Sequence, residues 1–244
     1  MEEKKNRKTI RLDRYLAEMQ VGSRSQVKNL IRQKQVTVNQ KTVLRPETQV
    51  SPDSDCVMVR GRQVHYVQTE YYMLNKPAGV VSATRDSREK TVLDLLKDAK
   101  RNDLFPVGRL DKDTVGLLLI TNDGELAHRL LSPGRHVDKV YEAAVRGRVT
   151  EQDVDVFWAG VDIGDDKPCL PAELTILESG ETSRVRIRIR EGRYHQIKRM
   201  FQAVDKEVLS LKRLSMGNLK LDETLQEGES RPLTPEETER LKAL

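Results

Sequence analysis

Aromatic residues, cysteines and long apolar runs are all scarce in this sequence, and each shortage closes off a class of protein. Of 244 residues only three are Phe, six Tyr and one Trp, 4% of the chain. Hydrophobic residues still make up 37% and charged residues 33%, with 14 Gly and 9 Pro. That balance excludes collagen-like, mucin-like and wholly disordered chains, and can fill one large or two modest cores. No stretch approaches the roughly 18 consecutive apolar residues of a membrane span. The opening MEEKKNRKTI lacks the apolar centre of a signal peptide. A soluble, cytoplasmic protein with no membrane partner is expected. Cys56 and Cys169 lie far apart, and with four histidines they form neither CxxC nor HExxH. No metal site is expected, and the two thiols read as ordinary ones in a reducing compartment.

The formal charge of +5 conceals an uneven distribution. Residues 1–66 carry 14 Lys+Arg against 7 Asp+Glu, and residues 184–213 carry 10 against 3. Beyond residue 66 the chain is slightly acidic as a whole, 29 against 31. Two basic islands of this kind are the footprint of a polyanion, nucleic acid above all, or of lysine- and arginine-rich solvated faces.

Residues 1–9 are polar and expected to be a flexible tail. Leu12, Tyr15, Leu16 and Met19 then recur at helical spacing up to Gly22. Ser23 and Gln26 form a capping box for a second helix with Val27, Leu30 and Ile31 on one face. Val36–Val38 and Val57–Val59 are short strands. This small module over residues 10–60 is followed by an expected linker over 61–69 and a larger domain over 70–244. There, strand signals at Tyr71–Leu74, Val115–Thr121, Tyr141–Val145, Leu174–Leu177, Val185–Ile189 and Val208–Leu211 alternate with helices. Those helices start at Thr91, after Asp123, at Thr150, near Tyr194 and at Thr234. The pattern predicts an α+β chain whose larger domain has a mixed, mostly antiparallel sheet with flanking helices.

Three stretches carry chemistry. Gly108-Arg109-Leu110-Asp111-Lys112-Asp113 crowds ionisable groups into a loop that leads into an apolar strand, and such a loop can hold a carboxylate on a rigid scaffold. Asp111 and Asp113 would also suit a glycosidase pair, although two acids two residues apart are weak support for that. Glu191 to Met200 joins an arginine-studded strand to a donor-rich helix containing Tyr194, His195, Lys198 and Arg199. The strand Arg184–Arg190 places four arginines on one face, an arrangement that is costly unless something anionic lies on it.

Taken together these motifs resemble the pseudouridine synthases, specifically the RsuA/RluB branch that acts on ribosomal RNA. The resemblance runs from about Ile10 to Leu233. The first module is similar to an S4 RNA-binding domain through Arg11-Leu12-Asp13-Arg14-Tyr15-Leu16, Ser23-Arg24 and Val36-Thr37-Val38-Asn39. Lys34 and Gln40 stand where that pattern usually has glycine, at a cost of roughly 1 kcal/mol each if the backbone there is left-handed. In the larger domain four segments match the branch in order: Asn75-Lys76-Pro77-Ala78-Gly79, Gly108-Arg109-Leu110-Asp111, Lys139-Val140-Tyr141, and Glu191 to Met200. The small-subunit subgroup is favoured by Gly192-Arg193-Tyr194-His195-Gln196, by Lys167-Pro168 followed by Pro171-Ala172, and by Arg231-Pro232-Leu233-Thr234.

The resemblance implies an isomerase that converts one uridine of ribosomal RNA to pseudouridine without a cofactor, most simply uridine 516 of 16S rRNA in the usual numbering. Asp111 would be the catalytic carboxylate, with Lys198 its cation partner and Arg199 the second choice. Tyr141 would stack on the flipped uracil, Arg109 would fill the space the base leaves, and Leu117–Ile120 would floor the site. RNA contacts would come from Arg109, Arg199, Lys76, Arg193, His195, Arg11, Arg14, Arg24, Lys28 and Arg32. The implied partner is a small-subunit precursor particle met by a monomer. Rival readings are a large-subunit 23S synthase of the same branch, a non-catalytic S4-type assembly factor, and a nucleoside hydrolase, which would release free uracil.

Overall fold

Hydrophobic spacing in the first module builds two helices on a small sheet. A computed structural model describes residues 9–244, so the expected tail over 1–9 lies almost wholly outside the described residues. The chain divides into two compact units, the first comprising residues up to Glu70 together with Asp98–Asp103. In the first unit β1 (Ile10–Arg11) leads into α1 (Leu12–Glu18), and α2 (Arg24–Arg32) follows. Next come β2 (Val36–Val38), β3 (Lys41–Thr42), β4 (Gln49–Val50), β5 (Val57–Val59) and β6 (Arg62–Gln63). The expected capping box of α2 is present: Ser23 Oγ accepts from the Gln26 amide, and Gln26 Oε1 from the Ser23 amide. Leu12, Tyr15, Leu16, Val27, Ile31, Val36 and Val57 are buried together.

Three details differ from the sequence reading. Helix α1 stops at Glu18 rather than running to Gly22, because Gln20 turns left-handed at φ 57°. The span 61–69 is not all linker, since β6 pairs with β5 and Val64 and Tyr66 pack on the core. Asp98–Asp103 joins this unit although it lies far along the chain. Its Arg101, only 4% exposed, forks onto Asp103 at 2.7 and 2.6 Å, bonds Val67 O and lies 5.4 Å from the Tyr66 ring centre. Burying a guanidinium demands such saturation of its donors.

The second unit holds β7 (Tyr71–Lys76), β8 (Phe105–Pro106), β9 (Val115–Thr121), α3 (Gly124–Leu131), β10 (Lys139–Arg146) and α4 (Glu151–Ala159). These are followed by β11 (Glu173–Glu178), β12 (Thr182–Ile189), α5 (Gln196–Gln202), β13 (Glu207–Met216), β14 (Leu219–Lys220), β15 (Ser230–Pro232) and α6 (Pro235–Lys242). The helix expected from Thr91 is only a short 3-10 turn, Val92–Leu95. The strands form one mixed sheet in the order β11-β12-β10-β13-β9-β7-β15, with β14 on β13 and β8 on β9. Every strand pairing is antiparallel except β9 with β13, which meet in parallel at Val115 and Gly116. At that crossing Gly116 has φ 98°, and a Cβ would lie 2.3 Å from Arg213 O, so only glycine fits. No helix among the described residues is long and apolar enough to cross a membrane.

The four-arginine face of β12 answers the charge question raised by the sequence. Arg184 pairs with Glu178 and Glu142, Arg188 with Glu173, and Arg190 with Asp138. The anions on this face are the protein's own carboxylates on neighbouring strands, so much of the second basic island is neutralised locally.

The hairpin turns of the first unit expose a strain that can be tested. Asn39 and Gln40 link β2 to β3 with φ of 50° and 67°, and Arg60 and Gly61 link β5 to β6 with 50° and 76°. Such two-residue turns favour glycine second, which the latter has and the former lacks. Lys34 is also left-handed, at 60°. Gln40→Gly should therefore stabilise the hairpin by about 0.5–1 kcal/mol after the entropy of the unfolded glycine is counted. Amide exchange of Val36–Val38 is expected to slow two- to fivefold; faster exchange would show that the turn is not strained.

Candidate active site

A loop that must carry several charges can be rigid only if something fixes its backbone, and here a buried lysine does so. Lys76, the last residue of β7, is 0% exposed. Its Nζ donates to the carbonyls of Pro77 at 3.0 Å, Asp111 at 3.0 Å, Lys112 at 3.2 Å and Thr114 at 2.9 Å. The Gly79 amide adds a bond to Lys112 O, and Ser82 Oγ bonds both Leu110 O and Leu110 N. The loop leaves β8 through Gly108, left-handed at φ 78°, and enters β9 at Gly116. Lys76 was expected to touch RNA, but its burial rules that out: its donors are directed into the loop that carries Asp111. Ser82 was missed by the sequence reading, because nothing around it distinguishes it from any other loop serine.

The Asp111 carboxylate faces the segment from Glu191 to Met200. His195 Nε2 lies 3.5 Å from its Oδ1, and Lys198 Nζ lies 3.5 Å from its Oδ2. Lys198 is closer to Asp113, at 2.6 and 2.8 Å to the two carboxylate oxygens. This ion pair holds the Asp113 carboxyl below the usual carboxylate range. Lys198 thus bridges two carboxylates, where the sequence reading paired it with Asp111 alone. Arg199, the second choice, is directed elsewhere: Nη2 bonds Asp165 Oδ1 and Ile163 O, both at 2.6 Å.

Asp111 lines a small cleft with Arg109, Leu110, Thr114, Tyr141, Ile189, His195, Ile197, Lys198 and Leu211. Tyr141, 7% exposed, comes from β10, and Ile189 and Leu211 from its neighbours β12 and β13. Leu117–Ile120 of β9, expected to floor the site, are buried in the core, and none of them lines this cleft. Arg109 is exposed and has no ion pair among the described residues. Arg193 is not free for RNA as expected: Nη1 and Nη2 bond the carbonyls of Lys167 at 2.6 Å and Pro168 at 2.8 Å, and Nε bonds Glu191. Glu191 also accepts from Gln196 Nε2 and the Leu170 amide, so Glu191, Arg193 and Gln196 brace the turn before α5.

In the first unit, Arg11 forks onto Asp13 and Arg14 bonds Glu18, so their charges are largely offset on the spot. Arg24, Lys28 and Arg32 recur every fourth residue on α2, Arg24 and Arg32 exposed, with no ion pair among the described residues. They form a cationic stripe along α2.

Comparison with known proteins agrees with this geometry. Residues 70–203 match the family described as RNA pseudouridylate synthase, and residues 10–56 match the S4 domain. The chain belongs to the RNA pseudouridylate synthase family. An uncharacterized RNA pseudouridine synthase of Bacillus subtilis is 46% identical, over 93% of this chain and 96% of its own length. A ribosomal small subunit pseudouridine synthase A of Yersinia pestis is 38% identical over 93% of this chain and 96% of its own. A ribosomal large subunit pseudouridine synthase B of Bacillus subtilis is also 38% identical, over 96% of each chain. A crystal structure titled pseudouridylate synthase superposes with a TM-score of 0.67 at 37% identity, covering 95% of this chain and 99% of the other. The chain is an RNA pseudouridine synthase, an isomerase.

Burial pushes the Lys76 ammonium down to about 8 from its ordinary 10.5, despite the nearby carboxylates of Asp113 and Asp111. Above that value the amine has one proton fewer with which to hold four carbonyls. Turnover should fall as pH rises through about 8, with RNA affinity little changed. The sign for stability is opposite. Between about 8 and 10.5 the unfolded lysine holds a proton that the folded one has lost, so this group's contribution to stability grows with pH. A kcat that stays level to pH 9.5 would contradict the clamp, and retained fold by circular dichroism separates loop loosening from unfolding.

Proposed function

We propose that this chain converts one uridine of small-subunit ribosomal RNA to pseudouridine, uridine 516 in the usual numbering, with Asp111 as the catalytic carboxylate. The observation that carries the role of Asp111 is its place: a carboxylate on a backbone-clamped loop, in the wall of a cleft that also contains Tyr141. The reaction breaks the bond between C1′ of ribose and N1 of uracil, turns the base, and forms a bond from C1′ to C5. The C5 proton leaves last. Asp111 can attack C1′ or take a proton from the ribose, and either role requires the ionised form. Lys198 Nζ lies 3.5 Å from Asp111 Oδ2.

An enzyme that acts on a base inside folded RNA must first extrude it. Tyr141 provides an aromatic wall for the extruded uracil and a group near enough to help remove the C5 proton. Arg109, exposed and without an ion pair among the described residues, fills the gap left in the RNA stack. Arg24, Lys28 and Arg32 grip phosphates from the S4 unit. The enzyme acts as a monomer in the cytoplasm on a precursor of the small subunit.

Support for the small subunit comes from Gly192-Arg193-Tyr194-His195-Gln196. Relatives named for the small and the large subunit are equally similar at 38%, so identity favours neither. Mapping pseudouridines in both ribosomal RNAs from cells lacking this chain decides the point. The expected result is loss of one small-subunit pseudouridine, restored by the wild-type chain. Loss from the large subunit would replace the reading with its 23S alternative, and loss from neither would overturn a ribosomal substrate.

A further inference from the structure

Tyr194 has no part in the reaction just described, and its setting is unusual. Its side chain is the most exposed of the large hydrophobic residues among those described, at 74%. It does not lie loose on the surface. Its ring stacks on the imidazole of His195 with centroids 3.9 Å apart and planes 15° from parallel. His195 sits in a left-handed conformation at φ 47° and ψ 34°, one that a non-glycine residue adopts only when its surroundings require it. The same imidazole reaches to 3.5 Å from Asp111 Oδ1. The Tyr194 carbonyl accepts from Arg199 Nη1, which anchors the backbone under the ring.

The two rings therefore form a two-layer stack that starts beside the carboxylate and ends in solvent. His195 lines both the inner cleft and the wider groove that opens from it, whereas Tyr194 lines only the groove. In a chain with ten aromatic residues, the open tyrosine face at the mouth of the cleft offers a surface on which a flat partner can stack. The nucleotides on either side of an extruded uridine must cross this groove, and each carries such a face.

We propose that Tyr194 is a substrate-binding residue: its open face stacks a base flanking the target uridine, and His195 supports the ring from behind. This rests on Asp111 marking the cleft that receives the target. The stack positions the strand so that the uridine enters beside Asp111, and it selects for an unpaired neighbour, since a paired base has no free face to offer.

The test uses the full-length enzyme and a synthetic RNA spanning the uridine that the wild-type chain is found to convert. Companion RNAs are made abasic at each neighbouring position in turn. Tyr194→Ala should raise KM about ten- to hundredfold, the range expected for one base on one ring, with kcat at saturating RNA within threefold of wild type. Tyr194→Phe, which keeps the ring, should restore KM. One abasic position should cost the wild type a similar factor and cost Tyr194→Ala nothing more. Equal abasic penalties in both enzymes, or unchanged KM in Tyr194→Ala, would overturn the proposal. So would a fall in kcat common to all the RNAs, because that marks a purely structural role through His195. An Asp111→Asn enzyme that still converts this RNA at the wild-type rate would instead overturn the reading of the site, so the two failures are distinguishable.

Discussion

One buried ammonium organises the active site. Lys76 gives its protons to four backbone carbonyls, three of them in the loop Asp111–Thr114. A backbone carbonyl away from water needs a donor, and a buried lysine needs acceptors. In this loop each shortage offsets the other, and the cost shows in a proton affinity depressed to about 8. Because Lys76 ends β7, which pairs with both β9 and β15, the loop is tied to the sheet. The Asp111 side chain can then point into the cleft from a backbone with little freedom.

The sheet supplies the second constraint. Strands β9 and β13 meet in parallel over Gly116, and the backbones approach so closely there that a methyl group would collide with Arg213 O. This junction brings the loop before β9 next to the strands that carry Tyr141, Ile189 and Leu211. It also brings α5, with Lys198, across from the loop. The residues gathered around the cleft and its loop therefore come from segments far apart in sequence: the lysine at 76, the carboxylate at 111, the tyrosine at 141 and the second cation at 198. In the charge pattern, by contrast, the arginines of β12 serve the sheet and those at 193 and 199 hold the segment 163–168.

Much of this was legible in the sequence, for local reasons. The capping boxes at Ser23, Thr150 and Thr234, the apolar run Val115–Thr121 and the alternation of β12 are written in nearest neighbours. At Lys34 and Gln40, where the S4 pattern usually has glycine, the backbone is left-handed, the condition on which the strain there depended. What failed depended on partners distant in the chain. A lysine motif reads as RNA contact until four carbonyls close around it. Basic residues at 184–199 read as a polyanion surface until the facing carboxylates Glu142, Glu173, Asp138 and Asp165 are in place. Asp98–Asp103 joins the first unit through Arg101, a role that no spacing in its own segment announces.

The most direct test of the carboxylate's role is a single-turnover assay of Asp111→Asn on the cognate RNA, with binding of that RNA measured alongside. The substitution keeps the shape of the side chain and, through the backbone clamp, the loop. Pseudouridine formation should fall by roughly a thousandfold or more, the scale of a lost acid–base or nucleophilic group, while the dissociation constant changes by less than about threefold. A variant that still turns over at near wild-type rate, or one whose deficit is explained by weakened binding alone, would contradict Asp111 as the group that does the chemistry.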